Sequence, residues 1–66
     1  MITFLVEDMT CGHCVATLRK ALAALDPDAP VHIDLGTHLV QMESARVDSN
    51  AVAAAIQSAG YTPQPP

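Results

Sequence analysis

Ile2-Thr3-Phe4-Leu5-Val6-Glu7-Asp8-Met9-Thr10-Cys11-Gly12-His13-Cys14 contains the turning point of the chain. Ile2, Phe4 and Val6 alternate with Thr3, Leu5 and Glu7, the period-two pattern of a strand over residues 2–7. Residues 8–13 then make a loop carrying a glycine and the first cysteine. From Cys14 the period changes. Val15, Leu18, Leu22 and Leu25 recur at intervals of three, four and three, one apolar stripe of a helix over residues 14–25.

Working outward, Asp26-Pro27 ends that helix and residues 26–30 form a loop. Val31, Ile33 and Leu35 alternate with His32 and Asp34 as a second strand, and Gly36-Thr37 suits a tight turn. Val40 and Met42 alternate with Leu39, Gln41 and Glu43 in a third strand, paired with the second as a hairpin. Asp48 or Ser49 caps a second helix running to about residue 59. Val52, Ala55, Ile56 and Ala59 form its apolar stripe, and Gly60 supplies a left-handed stop. Tyr61-Thr62 begins a short fourth strand, which Pro63-Gln64-Pro65-Pro66 cannot extend far because proline lacks a ladder donor. The predicted class is α+β: a ferredoxin-like βαββαβ order, with a four-stranded antiparallel sheet and both helices on one face. Residues 1–66 read as one domain, with a proline-rich tail at 63–66.

A chain of 66 residues buries only about 60% of its unfolded surface, so the core is small. Phe4 and Tyr61 are its two aromatic residues, and the core must come from aliphatic side chains and methionine. So short a scaffold has little room for the convergent polar cleft of an ordinary enzyme. A net charge of −4 argues against nucleic acid, whose phosphates need a basic patch. It gives no attraction to anionic lipid either, and favours a partner with a basic face. The first residues lack the positive start and long apolar run of a secretory signal. No stretch reaches the roughly 20 apolar residues of a membrane span. The expected location is the cytoplasm.

Function rests on Cys11 and Cys14. A disulfide between them would close a tiny loop and restrain almost nothing in the unfolded chain. In a reducing compartment such a pair reads as metal-binding or redox-active. Both thiols fall at the start of a helix, whose free N–H groups and positive dipole end favour the thiolate. Two soft ligands without an obvious third donor suit a d¹⁰ cation such as Cu(I), whereas Zn(II) normally takes four. Ag(I) shares the preferences of Cu(I).

Met9-Thr10-Cys11-Gly12-His13-Cys14, with Ala59-Gly60-Tyr61 near the end and the hairpin between them, resembles the heavy-metal-associated domain family, and within it the bacterial copper chaperones. The resemblance covers essentially the whole chain. It implies the βαββαβ fold and Cu(I) held nearly linearly by Cys11 and Cys14. It also implies transfer of the ion to a similar domain of a copper-transporting P-type ATPase, without catalytic turnover. In that family the methionine matching Met9 packs beneath the loop, and the aromatic residue matching Tyr61 lies beside it. The family usually has glycine where this chain has Asp8. Aspartate tolerates unusual backbone angles, and a carboxylate near the thiols would raise their pKa and favour more highly charged ions. Zn(II), Cd(II) or Hg(II) is the corresponding alternative cargo.

Other readings follow from the same residues. The tetrapeptide Cys11-Gly12-His13-Cys14 also occurs in dithiol oxidoreductases of thioredoxin type. Those carry an aromatic residue before the first cysteine, where this chain has Thr10. His13 is a candidate auxiliary ligand, although its place between the cysteines points it to solvent. Met9 and Tyr61 are candidate neighbours of the site, in packing and in support of the thiolates. His32 and His38 are expected at the surface. Without a partner, two such loops can bridge copper in a homodimer. A domain cut from a larger ATPase or reductase would carry the same pattern.

Overall fold

The computed structural model describes residues 2–66. In chain order the elements are β1 (Ile2–Leu5), α1 (Gly12–Leu25), β2 (Val31–Asp34), β3 (Leu39–Met42) and α2 (Ser49–Ser58). The strands form an antiparallel sheet in the order β1-β3-β2. Its register aligns Ile2, Met42 and Val31 in one row and Phe4, Val40 and Ile33 in another. Because side chains alternate across a strand, both rows share a face. Leu18 and Leu22 of α1 and Val52 and Ile56 of α2 close over that face. With Val6, Met9, Val40 and Met42 they make one buried core, none more than 1% exposed. A domain of this size has roughly 3–10 kcal/mol of stability. Removing one such side chain costs about 2–5 kcal/mol, so each core position is close to indispensable.

Both helix ends of α2 are built as the sequence implies. Asp48 accepts a hydrogen bond from the Ala51 N–H at 2.9 Å. At the other end Gly60 adopts φ 95°, the Gly60 N–H reaches Gln57 O at 3.0 Å and the Tyr61 N–H reaches Ile56 O at 3.1 Å. That pair of bonds is a Schellman motif. It delivers Tyr61 to the end of the molecule where β1 meets α1.

Four expectations need correction. The first helix begins at Gly12 rather than at Cys14, with Cys11 as its N-cap, so Gly12 and His13 belong to its first turn and not to the loop. The fourth strand is absent among the described residues. After α2 the chain makes a single bridge between Leu5 and Gln64, with N–H···O distances of 2.8 and 2.9 Å. Pro63 and Pro65 flank that bridge and have no N–H to continue it, so the sheet has three strands. Leu35 is not an inward strand residue but 37% exposed. The Asp34 carboxylate accepts the Gly36 N–H at 2.8 Å and ends β2 one residue earlier. Finally, β1 stops at Leu5 rather than at residue 7. Val6 turns into the core, and its carbonyl accepts the Met9 N–H at 3.2 Å.

The far end is fastened by Asp26, which is 5% exposed. Its carboxylate accepts the Ser44 hydroxyl at 2.7 Å and the Asp28 N–H at 3.2 Å. The Ser44 hydroxyl and the Asp28 amide, aided by the Arg46 charge, hold this carboxyl below the usual range.

Candidate metal centre

Cys11 is the N-cap of α1, in extended conformation at φ −151° and ψ 169°. Its carbonyl receives the first helical bond, from the Val15 N–H at 3.2 Å. Its thiol makes no capping bond to the helix, so the sulfur stays available. Cys14 is the third helical residue. The two sulfurs lie 3.3 Å apart, both cysteines are free, Cys11 is exposed and Cys14 half-buried. The first turn contains no acidic side chain to oppose the positive end of the helix.

The Cys14 thiol is lowered to about 6. The Tyr61 hydroxyl contributes most, followed by the Thr10 backbone N–H and the Cys11 side chain, against the opposing effect of burial. The same pairing, with burial and the charges of Cys14, Cys11 and Asp8, pushes the Tyr61 hydroxyl up to about 12. At neutral pH the pair therefore presents a sulfur anion beside an intact phenol.

Among the positions singled out in sequence, Cys11, Cys14 and Tyr61 are brought together. Met9 is fully buried as part of the core. His13 is exposed, and its carbonyl accepts the Thr17 hydroxyl at 3.0 Å. Among the described residues no group of three or more His, Cys, Asp and Glu side chains is assembled to hold a metal. Asp8 does not need unusual backbone angles, since among described non-glycine residues His38 alone has positive φ. Its carboxylate binds the Thr62 N–H and is not among the influences on Cys14.

His38 was the residue missed. It is half-buried rather than a free surface histidine, and its ring nitrogen Nδ1 lies 2.9 Å from the Met9 carbonyl oxygen. Histidine is enriched several-fold in the left-handed region, the single hint that the sequence offered. His32, by contrast, is exposed on the outer sheet face as expected.

A strand-to-helix loop bearing two paired thiols, on a small α+β sheet, defines a class of metal-handling domain. The chain belongs to the heavy-metal-associated domain family, which it matches over residues 3–62. It is 34% identical over 61 residues to the copper chaperone CopZ of Bacillus subtilis, covering 89% of this chain and 88% of CopZ. It is 38% identical over 58 residues to copper-transporting ATPase 2 of Rhizobium meliloti, covering 85% of this chain but 7% of the ATPase. Among solved structures it superposes on a gold binding protein at TM-score 0.90 and 39% identity, covering 97% of each chain.

Proposed function

We propose that this protein is a cytoplasmic copper carrier, one domain over residues 1–66, that takes a single Cu(I) on Cys11 and Cys14. It then passes the ion to the metal-binding domain of a copper-transporting P-type ATPase. The carrying observation is the donor set: two sulfurs 3.3 Å apart, one of them easily ionised, with no third ligand assembled among the described residues. Zn(II) is poorly served by two ligands, whereas soft monovalent d¹⁰ ions accept them. Similarity to a copper chaperone, to a copper-transporting ATPase and to a gold binding protein supports a soft cargo, and Ag(I) fits the same donors. No helix among the described residues is long and apolar enough to cross a membrane.

Transfer follows from ligand exchange at an exposed site. A thiolate of the acceptor adds to the bound ion on its open side, giving a shared three-coordinate state. One carrier sulfur then leaves as thiolate, and the second follows as the acceptor's other sulfur closes. The lowered Cys14 pKa makes this sulfur a good leaving ligand at neutral pH. Two carrier loops can share the ion likewise, giving a bridged homodimer when no acceptor is present.

The test is direct. Protein carrying one equivalent of Cu(I) is mixed without oxygen with the apo metal-binding domain of a copper-transporting ATPase, and the two are separated by ion exchange. Copper is expected to partition between them within the mixing time. Copper retained wholly on the carrier contradicts delivery. The dithiol oxidoreductase alternative draws on the same low Cys14 pKa, and catalytic reduction of insulin by the metal-free protein would favour it.

A further inference from the structure

His38 holds φ 59°, a conformation that glycine adopts without steric cost and a histidine does not. Its ring makes a contact 29 residues back in the chain, with Nδ1 at 2.9 Å from the Met9 carbonyl oxygen. A carbonyl only accepts, so Nδ1 carries the proton. The imidazolium carries it too, and protonation of the ring leaves the contact intact. The His38 carbonyl meanwhile accepts the Val6 N–H at 2.8 Å. Val6 and Met9 are the two ends of the turn closed by the Met9 N–H and the Val6 carbonyl. One residue of the hairpin therefore holds both ends of the turn that leads into the cysteines.

The peptide unit joining Met9 to Thr10 carries the consequence. In a trans peptide the C=O and N–H lie in one plane and point opposite ways. His38 grips the carbonyl of this unit, and the unit's other end, the Thr10 N–H, is one residue before Cys11. We propose that His38 is a positioning residue for metal handling: it fixes the Met9–Thr10 peptide plane, so that the loop keeps its shape around the thiol pair. The metal-handling half rests on the proposed carrier site, and the loop-fastening half stands without it.

Two substitutions separate this role from a turn-forming one. His38→Gly relieves the backbone and deletes the ring, yet keeps the main-chain bond to Val6. His38→Asn deletes the ring with a residue that also tolerates left-handed angles. In the reduced apo-protein, amide exchange at Met9, whose N–H closes the turn onto Val6, is expected to rise about fivefold relative to core amides such as those of Leu22 and Val52, the factor one neutral hydrogen bond is worth. With one equivalent of Cu(I), both variants should surrender the ion to bicinchoninate several-fold faster than the parent. Unchanged loop exchange, or equal acceleration of loop and core, overturns the proposal. A parent protein that takes up no Cu(I) overturns the carrier function instead, and the apo-protein exchange then decides the role of His38 alone.

Discussion

Asp8 and Thr62 stand 54 residues apart in sequence, and the Thr62 N–H donates to both carboxylate oxygens of Asp8, at 3.2 and 3.1 Å. This bond ties the loop after β1 to the segment after α2, next to Tyr61. Asp8→Ala is expected to cost about 1 kcal/mol, the usual worth of one hydrogen bond. Asp8→Asn keeps an acceptor oxygen and should cost less. Asp8→Gly, the residue usual in the family, should cost more than alanine, because a freer unfolded chain adds about 0.4–1 kcal/mol. Urea unfolding of the reduced apo-protein checks the order, and a glycine variant more stable than the parent contradicts it.

Met9 is wholly buried, so its thioether fills the core rather than facing a ligand. Met9→Leu should cost less than about 1.5 kcal/mol and leave Cu(I) uptake unchanged. Met9→Ala opens a cavity and should cost about 2–5 kcal/mol. Loss of uptake in a folded leucine variant would make the sulfur a ligand after all.

The Cys14 and Tyr61 shifts act on stability in opposite pH ranges. A thiol ionising at about 6 when folded against 9.0 for an unperturbed cysteine contributes stability that is complete above the higher value and lost as pH falls through the lower. The reduced apo-protein should therefore grow more stable from about pH 6 to pH 9. Tyr61 keeps its proton to about 12 instead of 10.0. Its contribution is complete below the lower of these values and fades as pH climbs through the higher. Tyr61→Phe should move the thiolate absorbance midpoint upward from about 6. An unmoved midpoint would assign the lowered value to the backbone N–H groups and the Cys11 side chain instead.

Ser44→Ala tests the fastening at the other end. The depressed Asp26 carboxyl stabilises the fold above the ordinary value of 3.8 and loses that contribution as pH falls below it. The variant should melt several degrees lower at neutral pH, with the gap to the parent narrowing in acid. A gap independent of pH would place the role of Ser44 in its acceptance of the Arg46 and Val47 N–H groups.

Periodicity made most of the fold legible. The stripe of Val15, Leu18, Leu22 and Leu25 put Leu18 and Leu22 in the core, and the alternation of Val40 and Met42 did the same for β3. The thiol pair at the junction was equally plain, because spacing is a local feature, although α1 begins two residues before the expected Cys14. What stayed hidden is long-range and polar. The Asp8–Thr62, Asp26–Ser44 and His38–Met9 bonds join residues 54, 18 and 29 positions apart, and nothing local announces such a partner. Leu35 continued the alternation of β2, but one Asp34 side-chain bond ended the strand. The fourth strand was overestimated for the opposite reason, since the prolines that limit it were in view and left a single bridge.

Two sulfurs of one loop as the whole ligand set is the central claim, and competition titration tests it most directly. Reduced protein, Cys11→Ser and Cys14→Ser are titrated without oxygen with Cu(I) against bicinchoninate, and with Zn(II) in parallel. Carriage by the pair predicts one tightly held Cu(I) in the parent, loss of tight uptake in both serine variants, and weak Zn(II) throughout. Undiminished Cu(I) uptake by either serine variant would contradict it.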